Sequence, residues 1–183
     1  GSQVVLAPAS ATLGGFWRDP GFLASAFLLA VGSVVALSID APDTLRGIKG
    51  DEATYVAMAM SLAYDGDLVY EARDEERFFS IYNGGPEGIY LKKGVQSSFA
   101  INGTFPFLHR ETYVEDRDDR LFFAKAFISS VFAAPFVRVA GVNGMVWFNV
   151  VLLTGAVFCA YRFVAARSPA TVALPYALAF VGA

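Results

Sequence analysis

Hydrophobic and polar positions along this chain fall into long blocks. Phe22–Ile39 (FLASAFLLAVGSVVALSI) holds eighteen residues without a charge. At about 1.5 Å of rise per residue such a helix reaches roughly 27 Å, close to the thickness of a bilayer core. The block predicts a first transmembrane helix over 22–39, preceded by an N-terminal segment, 1–21. A signal peptide would show a shorter apolar core and a small-residue cleavage site, whereas Asp40, Pro42 and Asp43 follow here directly. Further apolar blocks cover Leu121–Ala140 and Val142–Val164, and a last one opens at Ala170 and is uncharged through Ala183. They predict transmembrane helices over 121–140 and 142–164 and the start of a fourth over 170–183, whose fourteen residues are too few to cross. With Gly1-Ser2, which resembles a cloning remnant, that short last run is expected to mean a chain cut inside its fourth helix.

Between the first two blocks lies a polar insertion, 40–120. Within it Asp51–Tyr64 contains neither Pro nor Gly, and Ala53, Val56, Ala57, Met60 and Ala63 fall on one helical face. Tyr55, Met58, Ala59 and Leu62 make the other face nearly as apolar. The pattern predicts a juxtamembrane helix over 51–64, buried or lying in the membrane interface and ended by Asp65-Gly66-Asp67. Leu68–Tyr70, Phe78–Tyr82, Ile89–Leu91 and Ser98–Phe107 are aromatic or β-branched pieces between Gly, Pro and Asn, which predicts short strands or extended loops. Arg73–Arg77 (RDEER) reads as a solvated turn or a short helix. The expected fold is an α-helical integral membrane protein: one transmembrane helix, a large exported loop, then further transmembrane helices.

Composition agrees. Hydrophobic residues make up 55% of the chain and charged ones 17%, with a positive mean hydropathy of +0.48, outside the range of an ordinary soluble domain. The net charge of −3 hides a regional split, because the insertion carries sixteen acids against nine bases, a balance of −7. Long loops translocate largely regardless of charge, so the insertion is no topology signal. Arg18 and Arg138 against Arg162 and Arg167 do not decide the orientation either. Basic residues are neither clustered nor in excess, which excludes a nucleic-acid surface. The single cysteine, Cys159, lies in an apolar block and forms no intrachain disulfide.

Asp51 precedes an apolar helical run, the usual place of an N-cap. A carboxylate held there, about ten residues past the membrane exit, is also placed to act as a general base. Glu52 is either a first-turn residue favoured by the helix dipole or a second functional carboxylate. Lys125 falls five positions into the 121–140 block, where a cation either snorkels to the interface or meets an anion such as a lipid phosphate. Arg120 could serve the same phosphate or mark the membrane boundary. His109 is the only histidine, which excludes a multi-histidine metal site. Asp116, Asp118 and Asp119 form a charged collar, read as a solvated rim with a divalent-ion site as the alternative. Asn102-Gly103-Thr104 matches a glycosylation sequon. The aromatics Phe78, Phe79 and Tyr82 read as packing ahead of a sugar platform.

The order of these parts resembles the N-terminal region of GT-C glycosyltransferases, nearest to bacterial relatives of the protein O-mannosyltransferase and aminoarabinose transferase group. The resemblance rests on Gly50, Asp51, Glu52 and Tyr55, on Asp65-Gly66-Asp67, and on Lys125, which stands where that group often shows a Lys-Pro-Pro-like start to its second helix; here Ala126 and Phe127 replace the prolines. It implies transfer of a sugar from a polyprenyl-phosphate donor to an acceptor at the outer face of a bacterial inner membrane. Asp51 would activate the acceptor or organise the site, with Glu52 the second candidate. Lys125, with Arg120 and Tyr55, would meet the donor phosphate, and loop 40–120 would lie outside the cytoplasm. Members carry eleven or more transmembrane helices, so the resemblance implies that 183 residues are only part of such an enzyme. The resemblance names no cofactor, and a divalent metal stays as the open alternative. The alternative is a non-catalytic membrane scaffold whose loop docks a partner and whose Asp51 is only a cap. A transporter component is less well supported, since the apolar blocks show no broken-helix pattern beyond Pro135.

Overall fold

The computed structural model describes residues 17–44, 47–105 and 107–182. Gly1–Phe16 lie outside them, and with them most of the N-terminal segment. The described chain is mostly helical, with one three-stranded sheet. It divides into two units, one formed by the parts before Leu37 and after Phe148, the other by Leu37–Phe148.

In the first unit, helix α1 (Pro20–Ser38) starts at Asp19, whose Oδ1 accepts from the Gly21 and Phe22 amides at 2.9 and 3.1 Å, with Pro20 in the first helical position. α1 packs on a later helix, α6 (Asn143–Ala165). A Cβ added at Gly32 would press on Val150, and one at Gly21 would collide with Tyr161. These contacts pair late α1 with early α6 and early α1 with late α6, so the two run antiparallel; Asp19 and Arg162, 3.7 Å apart, mark their common end. Both are long and apolar enough to cross a membrane, and only 17% and 22% of their most apolar stretches are buried. A terminal helix, α7 (Ala170–Gly182), packs Ala173 and Ala177 around Tyr161.

The second unit is built around helix α3 (Asp51–Tyr64), which follows the single turn α2 (Ala41–Thr44). Ala53, Met58 and Ala59 are fully buried, and Ile48, Phe78, Phe123 and Val137 cover them from different directions. Phe78 comes from α4 (Ala72–Ile81), so the RDEER segment is helical. Val137 comes from α5 (Ile128–Ala140). The sheet has order β1-β3-β2, all antiparallel, with β1 (Val69–Tyr70), β2 (Leu91–Ile101) and β3 (Leu108–Phe123). β2 and β3 form one long hairpin with three register shifts, where short separate strands were expected. Its turn exposes the Asn102-Gly103-Thr104 sequon.

The predicted transmembrane helix over 121–140 is corrected. Leu121–Phe123 belong to β3, where Phe122 pairs with Val69 and Lys92 and Phe123 with Leu91. The helix begins only at Ile128 and has 13 residues, about 20 Å and too short to cross alone. Lys125 therefore sits in a non-helical link, not inside a span. Ladder pairing overrode the apolar run, which by periodicity alone fits strand or helix.

Asp51 as N-cap is corrected too. The cap position is Gly50, at φ 57 and ψ −121, and Asp51 is the first residue of the helix. That backbone conformation is open essentially to glycine alone. It turns the Gly50 N–H onto the Glu87 carbonyl at 2.8 Å and lets Gly88 approach so closely that a Cβ there would meet Gly50 Cα at 3.3 Å. Gly50→Ala is expected to lower stability by about 1–3 kcal/mol, read as a fall in the thermal midpoint of the solubilised chain, although nothing within 4 Å would obstruct the added methyl.

Candidate functional site

Because α3 is covered on its flanks, its charges gather at its two ends. At the C-terminal end Asp65 takes both guanidinium nitrogens of Arg77 at 2.8 and 3.2 Å. Asp67 accepts from Ser61 Oγ, the Val69 amide and Arg73 at 3.1 to 3.2 Å. Asp74 is almost fully buried beside Arg77, 3.1 Å away. Burial pushes its carboxyl up from the usual range, with Asp65 and Asp67 adding to the rise and the Glu71 amide and Arg77 opposing it. The Asp-Gly-Asp turn and the RDEER helix thus form a filled clamp between α3 and α4.

The N-terminal end is different. Lys125 Nζ lies 2.7 Å from Asp51 Oδ1 and 4.1 Å from the centroid of the Tyr90 ring. Two residues far apart in sequence are therefore brought together. The Asp51 side chain is 59% exposed and that of Lys125 27%, so the carboxylate is open to a ligand and the lysine side chain is the more covered of the two. The hydrogen bond to Asp51 is the main cause that holds Lys125 above its ordinary value; the Asp51 charge, Tyr90 and Tyr55 add to this, and burial opposes it. Asp51 is also in the first turn of α3, where the helix dipole favours an anion.

The placement of Lys125 is set by main-chain links. Thr54, fully buried, donates its hydroxyl to the Gly50 carbonyl at 3.1 Å and accepts the Tyr90 amide at 3.0 Å. The Tyr90 carbonyl then accepts from the amide of Ala124, the residue before Lys125, at 2.9 Å. From the other side Ser130 Oγ donates to the Tyr55 carbonyl at 3.3 Å, tying α5 to the first turns of α3. Tyr55 is half-buried one turn beyond Asp51, and Glu52 is exposed. Arg120 stays on β3, exposed, with its guanidinium 5.8 Å from the Phe122 ring centroid.

Tyr90 and Thr54 were not legible as site residues. The available signal was a threonine hydroxyl four residues after Gly50, a spacing suited to bonding back to a carbonyl. Among the described residues no group of three or more His, Cys, Asp or Glu gathers in a way that could hold a metal. Asp119 pairs with Lys93 at 3.1 Å, and the side chains of Asp116 and Asp118 lie outside those described. A shallow cleft of about 250 Å³ lies apart from the pair, lined by Asp40, Asp43, Ser80, Tyr82 and Asn83 among others. No protein-family model, curated protein or solved structure matches the chain.

The pair carries a pH signature. A lysine held above its free value of 10.5 contributes stability that is fully present below pH 10.5 and is lost as the pH rises through the higher folded value. The thermal midpoint of the native chain should therefore fall faster above pH 10.5 than that of Lys125→Met, the two curves converging at the alkaline end. Parallel curves would mean that the pair contributes nothing to folding.

Proposed function

We propose that this chain is part of a GT-C-like membrane glycosyltransferase that moves a sugar from a polyprenyl-phosphate donor to an acceptor at the outer membrane interface. The single observation that carries the reading is the Asp51–Lys125 pair: an accessible carboxylate and a cation held above its ordinary value, meeting at the open end of a buried helix. Asp51 takes the proton of the acceptor nucleophile as it attacks the anomeric carbon. The bond from that carbon to the donor phosphate breaks, the phosphate leaves with the electron pair, and Lys125 neutralises its charge. The Tyr90 ring faces the ammonium and keeps it directed at the site.

The membrane part of the proposal is supported by the exposed apolar surfaces of α1 and α6. A core helix of a soluble domain would be mostly buried, and theirs are not. A bilayer covers such surfaces, with α1 and α6 as integral spans and loop 40–120 outside the cytoplasm. A lipid-linked donor presents its phosphate and sugar at the interface.

The same ion pair also fits the non-catalytic scaffold, where it would only latch the link before α5 onto α3. Asp51→Asn and the exchange Asp51→Lys with Lys125→Asp separate the two, assayed in membranes holding the full-length protein with a panel of polyprenyl-phosphate sugars. A base is worth about 10² to 10⁴ in rate, so both variants should lose transfer by that factor while the exchange recovers the thermal midpoint. Transfer that survives Asp51→Asn removes Asp51 as the base.

A further inference from the structure

The β2–β3 hairpin reaches far beyond the core it helps to cover. At its base Leu91 pairs with Phe123, which packs on α3, and at its far end Ile101 pairs with Leu108. The ten strand steps from Leu91 to Ile101 put the far end roughly 30 Å from the base. Past that pair the Asn102 amide donates to the Phe107 carbonyl at 2.7 Å, adding one more rung before the turn.

A turn that faces water carries polar side chains, and this one does not. Ile101, Phe105, Phe107 and Leu108 are 85%, 86%, 59% and 59% exposed, and Phe105 meets Phe107 edge to face with ring centroids 6.1 Å apart. They occupy both faces of the hairpin. Ile101 and Leu108 stand opposite each other in the ladder and share one face, while Phe107, the adjoining residue, falls on the other. A protein partner covers one face of a hairpin. A tip that is apolar on both faces suits a medium that surrounds it.

The charge pattern points to the same medium. The twenty-three residues from Gly88 to Arg110 contain no acid and hold Lys92, Lys93 and Arg110, within an insertion of sixteen acids against nine bases. Lys93 is engaged by Asp119 near the base. Acids resume only at Glu111, so the end of the hairpin can approach anionic headgroups without repulsion.

We infer that the tip of the β2–β3 hairpin is a lipid-inserting element, which sets Ile101, Phe105, Phe107 and Leu108 into the headgroup layer of a bilayer. Insertion is shallow, because backbone groups of a turn lack ladder partners and cannot enter the hydrocarbon unsatisfied. Asn102 and Thr104, both exposed at the turn, offer polar side chains to the headgroups at that level. Tip insertion is independent of the sugar transfer proposed above: it involves neither Asp51 nor Lys125, and every contact invoked lies within the Leu37–Phe148 unit.

Single tryptophans at Phe27, Phe105 or Leu108, each in the full chain carrying Trp17→Phe and Trp147→Phe, test this in vesicles of phosphatidylcholine and phosphatidylglycerol. The phosphatidylcholine is brominated either near the headgroup or near the chain end. All three sites are exposed, so the indole fits without repacking. Phe105→Trp and Leu108→Trp should shift their emission to the blue and lose more of it to the shallow bromines than to the deep ones. Stronger quenching by the deep bromines would contradict shallow insertion and overturn the inference. So would quenching at Phe27→Trp with none at the tip, which leaves α1 as a span but keeps the hairpin out of lipid. A second copy as the occupant would show as disulfide-linked dimers of Thr104→Cys in a Cys159→Ser background, together with unquenched tip tryptophans. Quenching at the tip without Phe27→Trp would uphold the inserting tip and remove α1 as a span; no quenching at any of the three would remove both.

Discussion

A helix that is apolar around its whole circumference must be covered all round, and it can show charge only at its ends. That constraint on α3 organises the Leu37–Phe148 unit. Phe78, Phe123 and Val137 reach it from α4, β3 and α5, and fully burying one large apolar side chain is worth roughly 1.5 to 3 kcal/mol. The two ends then diverge. At the C-terminal end Asp65 and Asp74 are buried and saturated by arginine, which leaves a ligand nothing to exchange. At the N-terminal end Asp51 is open. The denser cluster of charge is therefore the structural one, and the sparser pair is the one left open to a ligand.

The same constraint explains why the second apolar block is not a span. α3 needs a hydrophobic cover at Phe123 and again at Ala133 and Val137. The chain supplies it twice in succession, first with the last residues of a strand and then with a helix lying along α3. Ser130 meets Tyr55 and the Tyr64 hydroxyl meets the Val137 carbonyl, so α5 runs parallel to α3. An apolar run long enough to be read as a span is thus divided between a sheet and a surface helix, and the link between them carries Lys125.

Much of this was legible. The long blocks over α1 and α6 stand out because an apolar run of that length has few other uses, and the ends of α3 are marked by the acids on either side. The boundary at 121–128 was not legible, since LFFAKAF fits strand or helix until β1 and β2 are in place to pair with it. The hairpin was hidden because its second strand is crowded with charge between Glu111 and Arg120. The cap was misread because Asp before an apolar run is the ordinary signal, whereas Gly50 holds the position through a backbone conformation that no sequence rule detects. Asp51 and Lys125 each stood out as charges beside apolar runs. Their contact depends on the loop at Tyr90, whose part is played by main-chain atoms.

That last point bears on what the pair can do. The links from Gly50 through Thr54 and Tyr90 to Ala124 are hydrogen bonds of 2.9 to 3.1 Å that do not involve the ammonium or the carboxylate. Opening the ion pair leaves them intact, so Lys125 keeps its place when it changes partner. A surface pair alone holds little folding energy, which makes such an exchange inexpensive. The Tyr90 ring continues to face the ammonium and the first turn of α3 continues to favour the freed carboxylate. An anion arriving at Lys125 would therefore meet a cation already positioned, and would leave beside it a carboxylate whose own position does not depend on the contact just broken.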